Sequence, residues 1–198
     1  GKSAHILDDT GIRVGEGARV TATHILLGGQ ETYIGLAASL EGDKGSFRSD
    51  TAYACTAQQR LDMNFIARHS GKKTESRMTA AGALYGSAHK TYRGTIDFQK
   101  GSAGSLGDEQ EETLLLSPDA VNKSIPMILC GEEDVAGEHG ATIGRLGDDV
   151  LFYMQSRGFS KREAENTVAR SKVAAALASV PDKKVQEEIA DYLDGVLT

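Results

Sequence analysis

The sequence predicts a mainly β chain that ends in helices, and three observations carry that reading. Short β-favouring runs follow one another from Val20 to about Cys130, separated by clusters of Gly, Asp, Lys and Ser. The runs begin about every 12 to 15 residues, and few are joined by the two-residue Asn-Gly or Asp-Gly loops that mark hairpins. After Leu146 the apolar residues change to helical spacing.

The clearest runs are Val20–Leu27, Phe47–Cys55, Leu61–Ala67 and Thr91–Phe98. In the third, Leu61, Met63, Phe65 and Ala67 share one face of a strand and Asp62, Asn64 and Arg68 take the other, with Ile66 as the exception. Small residues in Ala80-Ala81-Gly82-Ala83 and Gly101-Ser102-Ala103-Gly104 suit coils that stack closely and turn sharply. A sandwich can use such residues too. No exact repeat motif is legible, so the spacing places stacked parallel coils only modestly ahead of a sandwich.

In the helical part, Val150, Leu151 and Met154 belong to a first helix that Gly158 ends at C′. Ser160-Lys161-Arg162-Glu163 reads as a capping box opening a second helix, which carries Ala164, Val168, Val173, Ala174 and Leu177. Pro181 suits the first turn of a third helix running to about Leu193. The expected division is a β core over residues 1–146 and a helical domain over 147–198. The segment from Val173 to Val180 is apolar enough to need a partner surface, either the end of the β core or another protein. An open β end has unpaired backbone, and a helical cap would cover it.

With 198 residues the chain can bury a real core without a disulfide or a structural metal. It carries 22 Lys+Arg against 28 Asp+Glu, and a net charge of -6 argues against a dedicated nucleic-acid binder, whose footprint is a basic stripe. Cys55 and Cys130 are the only cysteines, in no CxxC or Cys/His spacing, which predicts a reducing, cytoplasmic setting. Each is expected to be a small buried hydrophobe. No apolar run reaches the length of a membrane span, and residues 1 to 5 form no signal-peptide core. The chain enters strand-like sequence at once, which reads as a fragment with Gly1 as a cloning scar. The sequon Asn122-Lys123-Ser124 reads as chance.

The stretch from His139 to Leu146, followed by Asp149-Val150-Leu151-Phe152-Tyr153-Met154-Gln155-Ser156-Arg157-Gly158, resembles the signature near the end of the SufB/SufD family of iron–sulfur cluster assembly proteins. Leu114-Leu115-Leu116-Ser117-Pro118, the spacer to Pro126, and Glu132-Glu133-Asp134-Val135 continue a SufD-like pattern, with fainter likeness at Gln99-Lys100 and from Phe65 to Gly71. The resemblance implies a right-handed parallel β-helix followed by a C-terminal helical domain, with the family's N-terminal helical region missing. It implies pairing with a SufB-like paralogue through the β-helices, or a homodimer through the same face. It also implies docking of the SufC-like ABC ATPase through Asp148 to Thr198. The function it implies is that of a scaffold subunit and not an enzyme.

His139 matches the family histidine implicated in iron or cluster handling, and a neutral imidazole ligates iron. Glu138 beside it resembles the Glu-His pair of the SufB branch, although neighbours on a strand face opposite ways unless a bulge intervenes. Many SufD sequences carry a cysteine where this chain has Gly137, and the SufB scaffold cysteine is matched by Ala120. Thiolates are the ordinary ligands of iron–sulfur clusters. The expectation is therefore that no cofactor is bound stably by this chain alone, and that an iron–sulfur cluster or iron is held transiently in the complex.

Two other classes are weighed against this one. A β-helical carbohydrate-active enzyme would draw on Glu132, Glu133, Asp134 and Glu138, but the chain has no Trp and its aromatics total 6%. The bland reading of these acids is solvated turns. A structural or oligomerisation module shares the fold and differs at His139. Gly71-Lys72-Lys73-Thr74 and Gly15-Glu16-Gly17 fall short of nucleotide-binding motifs and read as turns. His24, His69 and His89 are expected in surface or hydrogen-bonded structural roles.

Overall fold

Strands pair in parallel with the strand two places on, so the chain forms stacked parallel coils and not a sandwich of hairpins. The computed structural model describes residues 3–197, so expectations about Gly1, Lys2 and Thr198 lie outside the described residues. Ten strands come first: β1 His5–Val14, β2 Arg19–Leu26, β3 Glu31–Leu40, β4 Ser46–Cys55, β5 Arg60–His69, β6 Glu75–Leu84, β7 His89–Phe98, β8 Ser105–Leu115, β9 Val121–Cys130 and β10 Val135–Gly144. Odd strands form one parallel sheet in the order β1-β3-β5-β7-β9, and even strands form the other, β10-β8-β6-β4-β2. The result is a β-solenoid of about five turns followed by helices. Among the described residues three helices follow: α1 Asp148–Ser156, α2 Lys161–Leu177 and α3 Lys183–Leu197.

Inward residues stack in rows because the register between coils is unbroken. Ile34 lies beside Met63, Met63 beside Tyr92, and Tyr92 beside Ser124. The middle of the solenoid is closed by Leu36, Leu40, Met63, Phe65, Met78, Ile96 and Phe98, all fully buried. Phe65 meets Tyr92 edge to face at 5.7 Å. Burying such a side chain stabilises the fold by about 2 to 3 kcal/mol. Ile66 falls on the outer face and is half-buried, as its parity requires.

The corners explain the small residues. Gly42 has no room for a side chain, since a Cβ there would sit 1.9 Å from the Glu16 amide nitrogen of the coil below. Lys44 and Lys73 adopt left-handed backbone at φ 59° and 53° on successive coils. The Lys44 amide donates to the Lys72 carbonyl at 2.9 Å and the Lys73 amide to that of Ala103 at 3.0 Å, so backbone bonding between corners holds the strained turns. Gly15-Glu16-Gly17 and Gly71-Lys72-Lys73-Thr74 are turns of this kind.

The second helix does not cap an end of the solenoid. Instead α2 crosses the outer face of the even sheet over β2, β4 and β6. Its Ala169, Val173 and Ala176 meet outward Ala52, Ala54 and Ala83, with Leu114, Leu193 and Leu197 completing the cluster. Outward alanines let a helix approach closely, which is why the apolar segment finds its partner on a flank. Ser160 and Glu163 form the expected capping box, and Gly158 takes φ +94° after α1. The third helix differs from expectation. Pro181 precedes it, Asp182 accepts the Lys184 amide at 2.8 Å as a cap, and the helix continues to Leu197.

Candidate functional site

At one end of the solenoid β9 and β10 are the outermost strands of their sheets, and each has one edge of its backbone without a neighbouring strand. His139 lies on β10, register partner of Glu109 on β8. Parity turns His139 inward, where its Nδ1 comes 3.5 Å from Glu109 Oε1. Glu138 takes the opposite face. It lines a groove of about 500 Å³ on the outside of the even sheet, with Arg48, Arg77, Leu106 and Asp108. The pairing of β10 with β8 runs without a bulge from Val135 to Gly144. The two sequence-named residues therefore share a backbone segment but not a site.

Sequence reading missed what lies beneath His139. Glu109 is completely enclosed, and its carboxylate fits because Gly94 faces it: a Cβ on Gly94 would stand 2.2 Å from the carboxyl atoms. Neither oxygen has a hydrogen-bond partner among the described residues, the His139 contact being too long to count as one. Burial pushes the Glu109 carboxyl up to about 7, with Glu111 adding to the rise and Lys90 opposing it. One step further in, the Lys90 ammonium pairs with Glu111, both side chains fully buried. Glu111 also accepts from Ser124, from Thr113 Oγ1 at 3.2 Å and from Asn122 Nδ2 at 3.3 Å. Asn122 thus faces inward and is half-buried, while Lys123 is exposed.

Above this pair the Tyr53 hydroxyl bonds Thr113 Oγ1 at 2.7 Å, and Lys90 Nζ lies 5.3 and 5.2 Å from the Tyr53 and Tyr92 ring centres. Burial lowers the Lys90 pKa, and Glu111 counters it. The Tyr92 hydroxyl is a second enclosed group without a partner among the described residues. The last two coils thus enclose polar chemistry where the middle of the solenoid is mostly apolar.

The cysteines divide. Cys55 is buried as expected, and burial pushes its thiol up to about 12. Cys130 is exposed, because it closes β9 on the last coil, with no further coil to cover it. A Cβ on Gly137 would touch Ile128 Cγ2 at 2.8 Å. Cys130 and His139 lie on opposite sides of that contact, two residues away each, so they are roughly 13 Å apart along the strands. Gly137 itself is pressed against Ile128 and the Phe98 ring, which leaves little room for a side chain. Among the described residues no group of three or more His, Cys, Asp or Glu is arranged to hold a metal ion. The end of the solenoid offers iron one imidazole and no thiolate beside it.

Of the remaining histidines, His69 is wholly buried between Thr74 and Ser76 hydroxyls at 2.7 and 2.8 Å, and His89 is exposed. Glu132 accepts the amides of Gly101 at 2.9 Å and Glu133 at 3.0 Å, which makes it a turn residue. Near the free edges Ile125, Met127, Leu129 and Ile143 are exposed, and on and after α1 so are Phe152, Tyr153 and Phe159. No helix among the described residues is long and apolar enough to cross a membrane.

Comparison with known proteins bears on this site. Residues 1–172 match the family described as SUF system FeS cluster assembly, SufBD core domain. The iron-sulfur cluster assembly protein SufD of Bacillus subtilis is 27% identical over 158 residues, 79% of this chain and 36% of that protein. The chloroplastic SufBD family protein ABCI8 of Arabidopsis thaliana is 26% identical over 154 residues, 78% of this chain and 28% of the relative. The SufBD family protein Mb1497 of Mycobacterium bovis is 24% identical over 190 residues, 92% of this chain and 48% of the relative. The chain spans less than half the length of each.

Proposed function

This chain belongs to the SufBD core family of SUF-system iron–sulfur cluster assembly proteins, and from that premise we propose that it is a scaffold subunit, not an enzyme, acting in the cytoplasm. In this reading it pairs with a SufB-like paralogue, or with a second copy, through the end of the solenoid formed by β9 and β10. Residues 147–198 act as the helical domain that docks a SufC-like ABC ATPase. His139 contributes a ligand to iron or to the nascent cluster, which is cargo passing through the complex.

The observation that carries the proposal is the inward imidazole of His139 on a terminal strand with a free edge. A free edge pairs with a strand of another chain through backbone hydrogen bonds. Exposed Ile125, Met127 and Leu129 on β9, the terminal strand of the other sheet, add apolar area at the same end of the solenoid. An imidazole at the junction meets whatever the partner brings, and a partner with cysteine supplies the thiolates absent here. The exposed aromatic side chains of Phe152, Tyr153 and Phe159 suit a helical docking surface. Glu138, on the other face of β10, serves cargo only from the outer groove.

Two comparisons test the reading. The chain should co-purify with the SufC-like ATPase of its own genome and lose that partner when 148–198 are deleted. In the reconstituted complex His139→Ala should slow cluster assembly by roughly tenfold or more, with pairing and circular dichroism unchanged. Unchanged assembly would leave a structural module that pairs without handling metal.

A further inference from the structure

We propose, building on the reading of His139 as a ligand, that Glu109 is its positioning residue: the carboxylate one coil below holds the proton on Nδ1 and leaves the lone pair on Nε2 for iron. An imidazole binds metal through the nitrogen that its other contacts leave bare. Ionised, the Glu109 carboxylate only accepts, so beneath Nδ1 it selects the Nδ1–H form; protonated it would donate to Nδ1 instead, so the ring form is read well above pH 7. The 3.5 Å separation is long for a hydrogen bond in the unloaded chain, as catalytic contacts often are before the site is engaged.

The surroundings point the same way. Glu109 is fully enclosed and its one ion-pair contact among the described residues is with His139, while Lys90 is committed to Glu111 and the Tyr92 hydroxyl, also buried nearby, bonds nothing described. A carboxylate kept for stability would be paired inside the fold, and one left short of donors calls for a reason outside stability. Its backbone is also firmly held. β8 lies between β6 and β10 and is paired on both sides, whereas β10 is paired on one side only. A rigid strand thus supports a ligand on a terminal one. Gly94 supplies the space in which the carboxylate sits. Glu138, the sequence neighbour, faces away and cannot do this.

The test uses the full chain and long-range proton–nitrogen NMR of the imidazoles, with His139 assigned by its loss in His139→Gln. The unaltered protein should show His139 mainly as the Nδ1–H form. Glu109→Leu and Glu109→Met, which remove the acceptor but keep an apolar filling, should give a mixture of both forms. They should also weaken binding of Co²⁺, used as the probe for iron(II), to the reconstituted complex by about tenfold, without lowering the melting temperature of the chain. A dominant Nε2–H form in the unaltered chain overturns the proposal without any variant, and so does an unchanged ring form in folded Glu109→Leu. Equal Co²⁺ binding by the complex carrying the unaltered chain and by the complex carrying His139→Gln removes the ligand reading of His139 itself. A wrong ring form with His139-dependent binding intact removes only the role of Glu109.

Discussion

Lys90→Met is expected to destabilise the chain by about 3 to 5 kcal/mol, the cost of stranding a buried charge. The change is read as the shift of the urea midpoint at constant slope. Lys90 is inward on β7, and its ammonium and the Glu111 carboxylate are both fully buried. Methionine fills much of the volume of the lysine stem, so the variant tests charge more than packing. Without the ammonium, Glu111 keeps hydrogen bonds from Ser124, Thr113 and Asn122 but has no countercharge, and enclosed Glu109 lies close by. The double variant Lys90→Met/Glu111→Leu should recover part of the loss, because the stranded charge is gone while three polar groups lose their acceptor. A double variant no more stable than the single one would show that the loss comes from packing against Tyr53 and Tyr92.

The second large effect is on the pH dependence of stability, where two buried groups act in opposite senses. Burial holds the His69 pKa at about 4 against an ordinary value of 6.5. Its contribution is complete above about pH 6.5 and is lost as pH falls through 4. Glu109 is raised to about 7 from 4.5, so its contribution is complete below about pH 4.5 and is lost as pH rises through 7. Each shift is on the order of 3 kcal/mol. Between about pH 4.5 and 6.5 the two slopes largely cancel. Urea midpoints across this range should therefore rise with acidification in His69→Gln and fall in Glu109→Leu, with the unaltered chain nearly flat between them. Parallel profiles for all three proteins would mean that neither group keeps its shifted titration in solution.

How much of this was legible beforehand depended on parity. The alternation of Leu61, Met63, Phe65 and Ala67 with polar neighbours set the inward face of β5 directly. The parallel coils themselves needed the family resemblance as well as the spacing, because short strands with small residues also build sandwiches. Lys90 has the same parity as Ile96 and Phe98, which was the available signal for its burial. Glu109 and Glu111 gave a weaker one, hidden in the run Asp108-Glu109-Gln110-Glu111-Glu112. Such a run reads as a solvated face unless its odd members are separated from its even ones. Cys130 was misjudged because an apolar run says nothing about being the last strand of a sheet. The helices were found, but their seat was not, since outward Ala52, Ala54 and Ala83 look like filler until α2 lies on them.

The shift from an apolar middle to a polar last layer also sets where the molecule is soft. In a solenoid each coil leans only on its neighbours, so local stability is handed along the axis. The final coil rests on Glu109, Lys90 and Glu111 where earlier coils rest on Phe65 and Met63, and most of its residues are exposed. Its amides should be the first to exchange with solvent and those of β3 to β6 the last. A strand laid along β9 or β10 would convert a fraying rim into the interior of a longer stack. The ordering cost would then be met at the moment of association, and anything that had already stiffened the rim would strengthen the partner's grip.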